Sequence, residues 1–486
     1  MAINKLKTYI GDRRCELLGL GVSNLPLAEK LLEMGIPLTV RDKNDMARLG
    51  ERAAALAARG ARFVVGEDHL KDLSGDLIFR SPGIRPDKAE LLAAARRGSE
   101  LTSEMELFLM LTDARTFAVT GSDGKTTSTT LTGKFLSAEA KRTKKGSVFV
   151  GGNIGTPLLH RVDEIKSNDC AVLELSSFQL MTVGRAPEYC AITNLSPNHL
   201  DWHTDMAEYL AAKEHIVGDN TRRLVTNAES PATASFAKRL LDARKLGKNT
   251  PAIYLFSSKR SSFEELFPDG AGADDRAIYE KNGQILLSDG TTEESLLEIS
   301  RIRVPGRHNV ENFMTAIGLT YGHVSAEIFG KVADEFLGVE HRLELVRTLD
   351  GVDYYNSSID SSPSRTAAAL SALSGRDIVI ICGGYDKQIP FEPLAESLCR
   401  SVRAVVLTGE TGKKIEAVLK AHSLYQQDHP VIRYEAAFKD AVLGARSLAC
   451  MGGCVLLSPA CASFDAFRNF AERGETFRAI VNSLEN

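Results

Sequence analysis

No two cysteines of this chain stand in C-x-x-C spacing, although eight are present among 486 residues. Cys15, Cys170, Cys190, Cys382, Cys399, Cys450, Cys454 and Cys461 fall mostly in apolar, strand-like runs. A structural zinc site draws on closely paired ligands, so zinc is not expected. Reduced, buried thiols suit a reducing cytosol. No apolar run reaches about 18 residues, so no membrane-spanning helix is expected. Long basic runs and tails are missing and the net charge is only −4, so nothing points to nucleic acid. The first residues lack the apolar core of a secretory signal, which leads us to expect a cytoplasmic location. The composition is 43% hydrophobic and 25% charged, an ordinary globular balance for a chain of about two to four domains.

One short run carries the most information: Thr120-Gly121-Ser122-Asp123-Gly124-Lys125-Thr126-Thr127. The apolar stretch Phe117-Ala118-Val119 enters it and a Thr-rich helical stretch leaves it. This is the layout of a strand, a phosphate-cradling loop and a helix. Glycines let backbone N–H groups turn toward an anion, and a helix N-terminus adds partial positive charge. Lys125 would reach the terminal phosphates of a nucleotide, and Thr126 would offer its hydroxyl to Mg²⁺. The spacing is shorter than the usual G-x-x-x-x-G-K-[ST], whose first glycine would fall at Val119. A plain strand-to-helix turn with a solvated lysine is the alternative.

Strands and helices alternate along the whole chain, which predicts α/β architecture. Cys15 to Gly21, Ile36 to Val40 and Asp76 to Phe79 read as strands around a helical Leu25 to Met34. Gly19-x-Gly21-x-x-Asn24 imitates a dinucleotide fingerprint without its third glycine, and Asp42 stands where a ribose-binding acid would. A glycine turn with no ligand is the other reading. A second unit begins near Thr116 and a third near Val339, whose strands include Asp377 to Cys382, Ala404 to Leu407 and Gly453 to Leu457. The expected domains are 1–103, 104–338 and 339–486.

Several polar residues stand at predicted strand ends, where open α/β sheets bind ligands. Glu174 closes an apolar strand and suits Mg²⁺, a hard cation, although a helix-capping acid would look the same. His199, in Asn198-His199-Leu200-Asp201, follows another strand. Lys213 lies in a helical stretch, and composition alone makes it a solvated surface lysine. Asn309 and Asn312 share one helix face. Gly383-Gly384-Tyr385-Asp386-Lys387 places a lysine beside glycine-rich backbone. Ser463 follows a buried strand and is expected at a helix N-terminus, where it can donate to a carboxylate.

Together these segments resemble the Mur ligase family, and within it the member that adds D-glutamate. The carrying motifs are the phosphate loop, Gly151-Gly152-Asn153-Ile154-Gly155, Leu173-Glu174-Leu175-Ser176-Ser177-Phe178-Gln179-Leu180, the Asn198 turn, Gly306-Arg307-His308-Asn309 and Glu340-His341-Arg342-Leu343-Glu344. The shortened loop is itself that family's form. Ser458-Pro459-Ala460-Cys461-Ala462-Ser463 with Phe470-Ala471-Glu472-Arg473-Gly474 is similar to the D-glutamate member, and the D-N-P-R motif of a sibling is absent.

The resemblance implies three domains: a Rossmann-like UDP-binding domain, a central P-loop domain and a C-terminal Rossmann-like domain. It implies ATP- and Mg²⁺-dependent joining of D-glutamate to UDP-N-acetylmuramoyl-L-alanine in cytoplasmic peptidoglycan precursor synthesis, by a monomer. It places Gly121, Ser122, Asp123, Gly124, Lys125, Thr126, Thr127, Asn309, Asn312 and Arg342 at ATP. Thr126, Glu174, His199 and a carbamylated Lys213 would hold metal, and Lys125, His199 and Lys213 would be catalytic. Gly21, Val22, Ser23, Asp42, Gly83, Asn153, Ser177 and Gln179 would contact the UDP-linked substrate, and Lys387, Ser463 and Phe470 would contact D-glutamate.

One departure stands out. The family's N-D-S-K is replaced by Asn356-Ser357-Ser358-Ile359, with Asp360 close by to act for the missing acid. A folylpolyglutamate synthetase-like ligase shares the ATP apparatus but lacks a first domain carrying Gly19, Gly21 and Asp42. A catalytically silent binding protein is suggested only by the altered loop, and Lys125, Glu174, His199 and Lys213 argue against it.

Overall fold

The computed structural model describes residues 4–196, 202–386 and 388–485. They form two compact units. One runs to Ile299 and takes in Val310–Val332; the other comprises Ser300–Asn309 and the chain from Ala333 on.

The first unit holds two sheets. Strands β1 (Cys15–Leu18), β2 (Leu38–Asp42), β3 (Arg62–Val65), β4 (Leu77–Arg80) and β5 (Glu100–Thr102) lie parallel in the order β3-β2-β1-β4-β5. The order reverses between β1 and β4, which opens a crevice at their C-terminal ends. The second sheet has nine strands: β6 (Arg115–Thr120), β7 (Val148–Gly152), β8 (Cys170–Glu174), β9 (Tyr189–Ile192), β10 (Arg223–Asn227), β11 (Ala252–Ser257), β12 (Arg276–Lys281), β13 (Gln284–Ser288) and β14 (Glu293–Glu298). Their order is β14-β13-β12-β11-β10-β9-β6-β8-β7, with antiparallel pairing only at β12-β13-β14. The segment Gln284–Ser288 is the middle strand of that antiparallel run. Central β6, β8 and β9 are almost wholly buried around apolar middles, as parallel strands covered on both faces require.

The second unit carries β15 (Glu344–Leu349), β16 (Val352–Asn356), β17 (Ile378–Cys382), β18 (Ala404–Leu407), β19 (Val431–Tyr434) and β20 (Cys454–Leu457), in the order β15-β16-β20-β17-β18-β19. Only β15 runs antiparallel to its neighbour. Side chains alternate across this sheet: Ile378, Ile380 and Cys382 join one core layer while Val379 and Ile381 join the other. That two-sided burial is the doubly wound arrangement expected of the third sheet.

Two readings are corrected here. Ser463 does not open a helix. The next helix is Phe470–Asn482, because Asn469 is its N-cap and accepts the Glu472 N–H at 2.9 Å. Lys213, in the helix Met206–Glu214, is no surface residue: it is only 2% exposed. No helix among the described residues is long and apolar enough to cross a membrane.

Candidate functional site

The phosphate loop follows β6 and leads into the helix Lys125–Thr143. Gly121 has φ +145°, and an added Cβ there would collide with the Thr193 hydroxyl. Gly124 has φ +79°, and an added Cβ there would collide with the Asn312 amide oxygen. Glycine is thus required twice, once for the turn and once for close approach. The strand-end residues after β9 pin the loop. Ser122 N–H donates to Asn194 O at 2.8 Å and Asp123 N–H to Asn194 Oδ1 at 2.9 Å. Ser122 Oγ donates to Ser196 O at 2.9 Å, so the Tyr209 hydroxyl 2.8 Å away donates its proton to Ser122. The residue before the helix is Gly124, which has no side chain to cap it, and a helix N-terminus of this kind suits an anion. Lys125 Nζ donates to Gly121 O and Ser122 O at 2.9 and 3.0 Å. Thr126 and Thr127 occupy the first turn.

Glu174 ends β8, beside β6, in register with Val119. It caps no helix; Ser176 caps the short helix Ser177–Leu180. Its Oε1 accepts from Asn153 Nδ2 at 2.9 Å, while its buried Oε2 has no hydrogen-bond partner among the described residues. A buried carboxylate oxygen left unbonded is costly without a cation or a donor. An unbonded carboxylate oxygen is a hard donor of the kind Mg²⁺ takes.

Lys213 approaches from the other side. Its Nζ donates to Thr120 Oγ1 at 3.2 Å and to Gly121 O at 2.9 Å, and lies 4.9 Å from the centre of the Tyr209 ring. Burial, and then the neighbouring Lys125 cation, pull its proton affinity well below the usual lysine range. A neutral amine has two protons, enough for both bonds, and keeps a lone pair.

The structure brings Gly121 to Thr127, Glu174, Asn153 and Lys213 to the C-terminal edge of the nine-stranded sheet. Asn312 joins them, accepting from Ser128 Oγ at 3.2 Å. His199 and Lys387 lie outside the described residues. Gln179 serves the helix start: Ser176 N–H and its own backbone N–H complete a capping box between the two residues. Ser177 Oγ lies 2.8 Å from His203 Nε2.

In the five-stranded sheet, Gly21, Val22 and Ser23 follow β1, Asp42 ends β2 and Gly83 follows β4, all at one edge. Val22 is 79% exposed. Asp42 carries a structural load: Oδ2 accepts from Leu20 N–H at 2.8 Å and Oδ1 from Asn44. Asn24, at the missing third glycine, sends its amide back to Gly19 O at 2.8 Å.

In the second unit, Ser463 is buried and Phe470 is 40% exposed. Asn309 Nδ2 donates to Pro305 O at 2.6 Å. Asp360 Oδ2 accepts from Ser458 Oγ at 2.8 Å; burial raises its carboxyl to about 6, against the pull of Ser357, Ser458 and the Arg342 charge. Arg473, buried beneath these loops, donates to Ser358 and to the carbonyls of Cys461 and Ala462.

Sequence reasoning missed Arg473, and it missed a chain of contacts around the single tryptophan. Arg85 lies over the Trp202 ring at 5.0 Å and binds Glu208, which holds His203. Trp202 Nε1 donates to Gly83 O at 3.2 Å. Arg80 likewise reaches from β4 to Phe178 O and Thr182 Oγ1. The sole tryptophan beside a candidate turn was the available signal.

Residues 119–320 match the Mur ligase middle domain and residues 341–461 match the Mur ligase glutamate ligase domain. The UDP-N-acetylmuramoylalanine–D-glutamate ligase of Ruminiclostridium cellulolyticum is 40% identical over 491 residues, covering 99% of this chain and 100% of its own. The ligase of the same name from Clostridium beijerinckii is 42% identical over 484 residues, 99% of each chain. Among solved structures, the UDP-N-acetylmuramate–alanine ligase MurC of Thermotoga maritima shares the fold, with TM-score 0.55 at 19% identity over 97% of this chain and 99% of its own. Full-length identity at this level, joined to the glycine cradle, the strand-end glutamate and the buried lysine, leads to one conclusion: the chain belongs to the Mur ligase family.

Proposed function

We propose that this chain joins D-glutamate to UDP-N-acetylmuramoyl-L-alanine with ATP, through an acyl phosphate, in the cytoplasm and as a monomer. The observation that carries the reading is the meeting of the glycine cradle, Glu174 and buried Lys213 at one sheet edge. The full-length identity to D-glutamate ligases supports the choice of substrate. In this reading the chain has three domains, 1–103, 104–338 and 339–486, which hold the UDP moiety, ATP and D-glutamate in turn.

A free carboxylate is a poor electrophile. The carboxylate of the alanyl residue attacks the γ-phosphorus, the bond to the ADP oxygen breaks, and an acyl phosphate forms. The uncharged amine of D-glutamate attacks that carbonyl, phosphate leaves, and the amine proton passes to solvent or a base. Lys125 and the open helix N-terminus stabilise charge on the transferring phosphoryl group. Asn309, Asn312 and Arg342 serve the nucleotide, and Ser463, Phe470 and Lys387 the D-glutamate. Bound Mg²⁺ would be held by Thr126, Glu174, His199 and carbamylated Lys213, and would supply charge neutralisation on the phosphates. Lys213 suits carbamylation because only a neutral amine adds to CO₂, giving a carbamate and releasing one proton. Asp360 takes the part of the acid missing at position 357.

The test is phosphate release from ATP. It is expected only when UDP-N-acetylmuramoyl-L-alanine and D-glutamate are both present. Release with folate substrates, or none at all, overturns the reading. Intact-mass measurement on bicarbonate-treated protein is expected to show one added carboxylate, lost in Lys213→Met.

A further inference from the structure

His203 is 2% exposed and lies in a cage of rings: Trp202 at 4.8 Å, Tyr209 at 5.4 Å and Phe178 at 5.6 Å between centroids. Its two nitrogens meet different partners. Nδ1 is 3.2 Å from Glu208 Oε2, and Nε2 is 2.8 Å from Ser177 Oγ. Glu208 is a firm carboxylate. Arg85 donates to both its oxygens at 2.8 and 3.1 Å, and Thr204 N–H adds a third bond at 2.8 Å. These donors, Arg85 first, hold its carboxyl down at about 2.

A carboxylate only accepts, so Nδ1 must carry the proton. Burial disfavours a second proton on the ring, despite the pull of Glu208. Nε2 is then a lone pair, and among the described residues the proton that meets it belongs to the Ser177 hydroxyl. Ser177 has no other proton to give and shows only lone pairs to whatever it faces.

We infer that His203 is a positioning residue that fixes the Ser177 hydroxyl as a hydrogen-bond acceptor, matched to an amide N–H of the substrate. The inference rests on the reading above, in which Ser177 touches the muramoyl-alanine portion. Arg85, in the loop after β4, and Glu208, on the helix that bears Lys213, orient the ring. Recognition of the amide is thereby tied to the placement of that helix. A hydroxyl so committed discriminates against an ester at the same place, where an oxygen lone pair would face its own.

The test is steady-state kinetics on the full chain with UDP-N-acetylmuramoyl-L-alanine and with the ester analogue in which L-lactate replaces L-alanine. Ser177→Ala should raise KM for the amide substrate roughly tenfold, the worth of one oriented hydrogen bond. His203→Leu should raise it by the same factor, with ATP KM and kcat held within about twofold. Adding Ser177→Ala to His203→Leu should cost little more. His203→Gln should recover most of the affinity, because its amide can accept from Ser177 and donate to Glu208. The ester analogue should be roughly tenfold weaker for the unaltered chain and nearly equal to the amide for His203→Leu. Trp202 is the only tryptophan in the chain and touches this cage, so its emission reports whether each variant keeps the local fold.

If Ser177→Ala raises KM and His203→Leu does not, the positioning role is overturned while the contact reading stands. If Ser177→Ala changes nothing, the contact reading falls and the inference with it. A joint rise in both KM values with a fall in melting temperature shows a packing role and overturns the inference. If His203→Leu does not fold, His203→Phe carries the test. A phenyl ring keeps the packing of the cage and offers the Ser177 hydroxyl no acceptor. The same tenfold rise is expected, and an unchanged KM refutes the proposal.

Discussion

Replacing Gly121 with alanine tests the phosphate cradle most directly. The residue sits at φ +145°, where a side chain costs roughly 1–3 kcal/mol. The new Cβ would also strike the Thr193 hydroxyl, with Thr193 Cβ at 3.2 Å and the Asn194 carbonyl at 3.1 Å behind it. The hydroxyl is not free to turn away, because it donates to Asp123 O at 2.5 Å. Losing that bond costs about 1 kcal/mol. The combined penalty is roughly 2–4 kcal/mol on holding the loop in place, or about 30- to 1000-fold in ATP affinity. The assay is ATP KM in the coupled phosphate-release reaction, with thermal unfolding to show that the change is local. Thr193→Ala alone should weaken ATP by about fivefold through the lost bond. In the Gly121→Ala background the same change should instead recover about fivefold, because it removes the hardest of the collisions, the one with the hydroxyl. Gly121→Ala with an unaltered ATP KM refutes the cradle, and simple additivity of the two substitutions refutes the collision.

Three further outcomes follow from other parts of the molecule. Glu104 is buried, and desolvation raises its carboxyl from 4.5 to about 7 even though it accepts from Leu158 and Leu159 N–H. A raised carboxyl favours the folded state most below pH 4.5 and loses that advantage as pH climbs to about 7, by roughly 3 kcal/mol. Glu104→Gln should therefore melt with a flatter profile between pH 5 and pH 8, and parallel profiles would contradict the burial argument. Asn153→Ala frees Glu174 Oε1 and should weaken Mg²⁺ activation roughly ten- to a hundredfold; an effect confined to the UDP substrate would mean Asn153 acts on that ligand instead. Asp360→Ala should raise ATP KM roughly tenfold if that carboxylate serves the nucleotide, and unchanged ATP KM and turnover end that assignment.

Local chemistry made part of this site readable. The phosphate loop is written in consecutive residues, and its glycines are demanded by backbone angles and contacts that lie beside it. Glu174 was half legible: a carboxylate closing an apolar run either meets a cation or caps the next helix, and only the structure shows Ser176 in the cap. Lys213 was not, since its burial depends on Tyr209 docking against Ser122, a contact 87 residues apart. The Arg85–Glu208 pair spans 123 residues and leaves no local trace. The helix expected at Ser463 was a misreading of a signal that was present: Asn469 followed three residues later by Glu472 is an N-cap pattern, and it marks the true start. Asp42 and Gln179 show the converse. Both stand where a ligand contact is expected, and both have their side-chain oxygens engaged in holding a turn or a helix start.

The two lysines of the site meet at one atom. Lys125 Nζ and Lys213 Nζ each donate to Gly121 O at 2.9 Å. Two ammonium groups sharing one carbonyl would repel, and burial weighs more on Lys213. Lys213 is the deeper, and Lys125 is the second cause of its lowered proton affinity. The loop lysine therefore does more than wait for phosphate: its charge loosens the other amine's hold on its proton and so favours the neutral form, the one open to carbamylation. A carbamate on Lys213 would reverse the relation, turning repulsion between two cations into attraction between a cation and an anion at the same place. Gly121 serves both contacts: its carbonyl accepts from the two amines, and its missing side chain leaves room for Thr193.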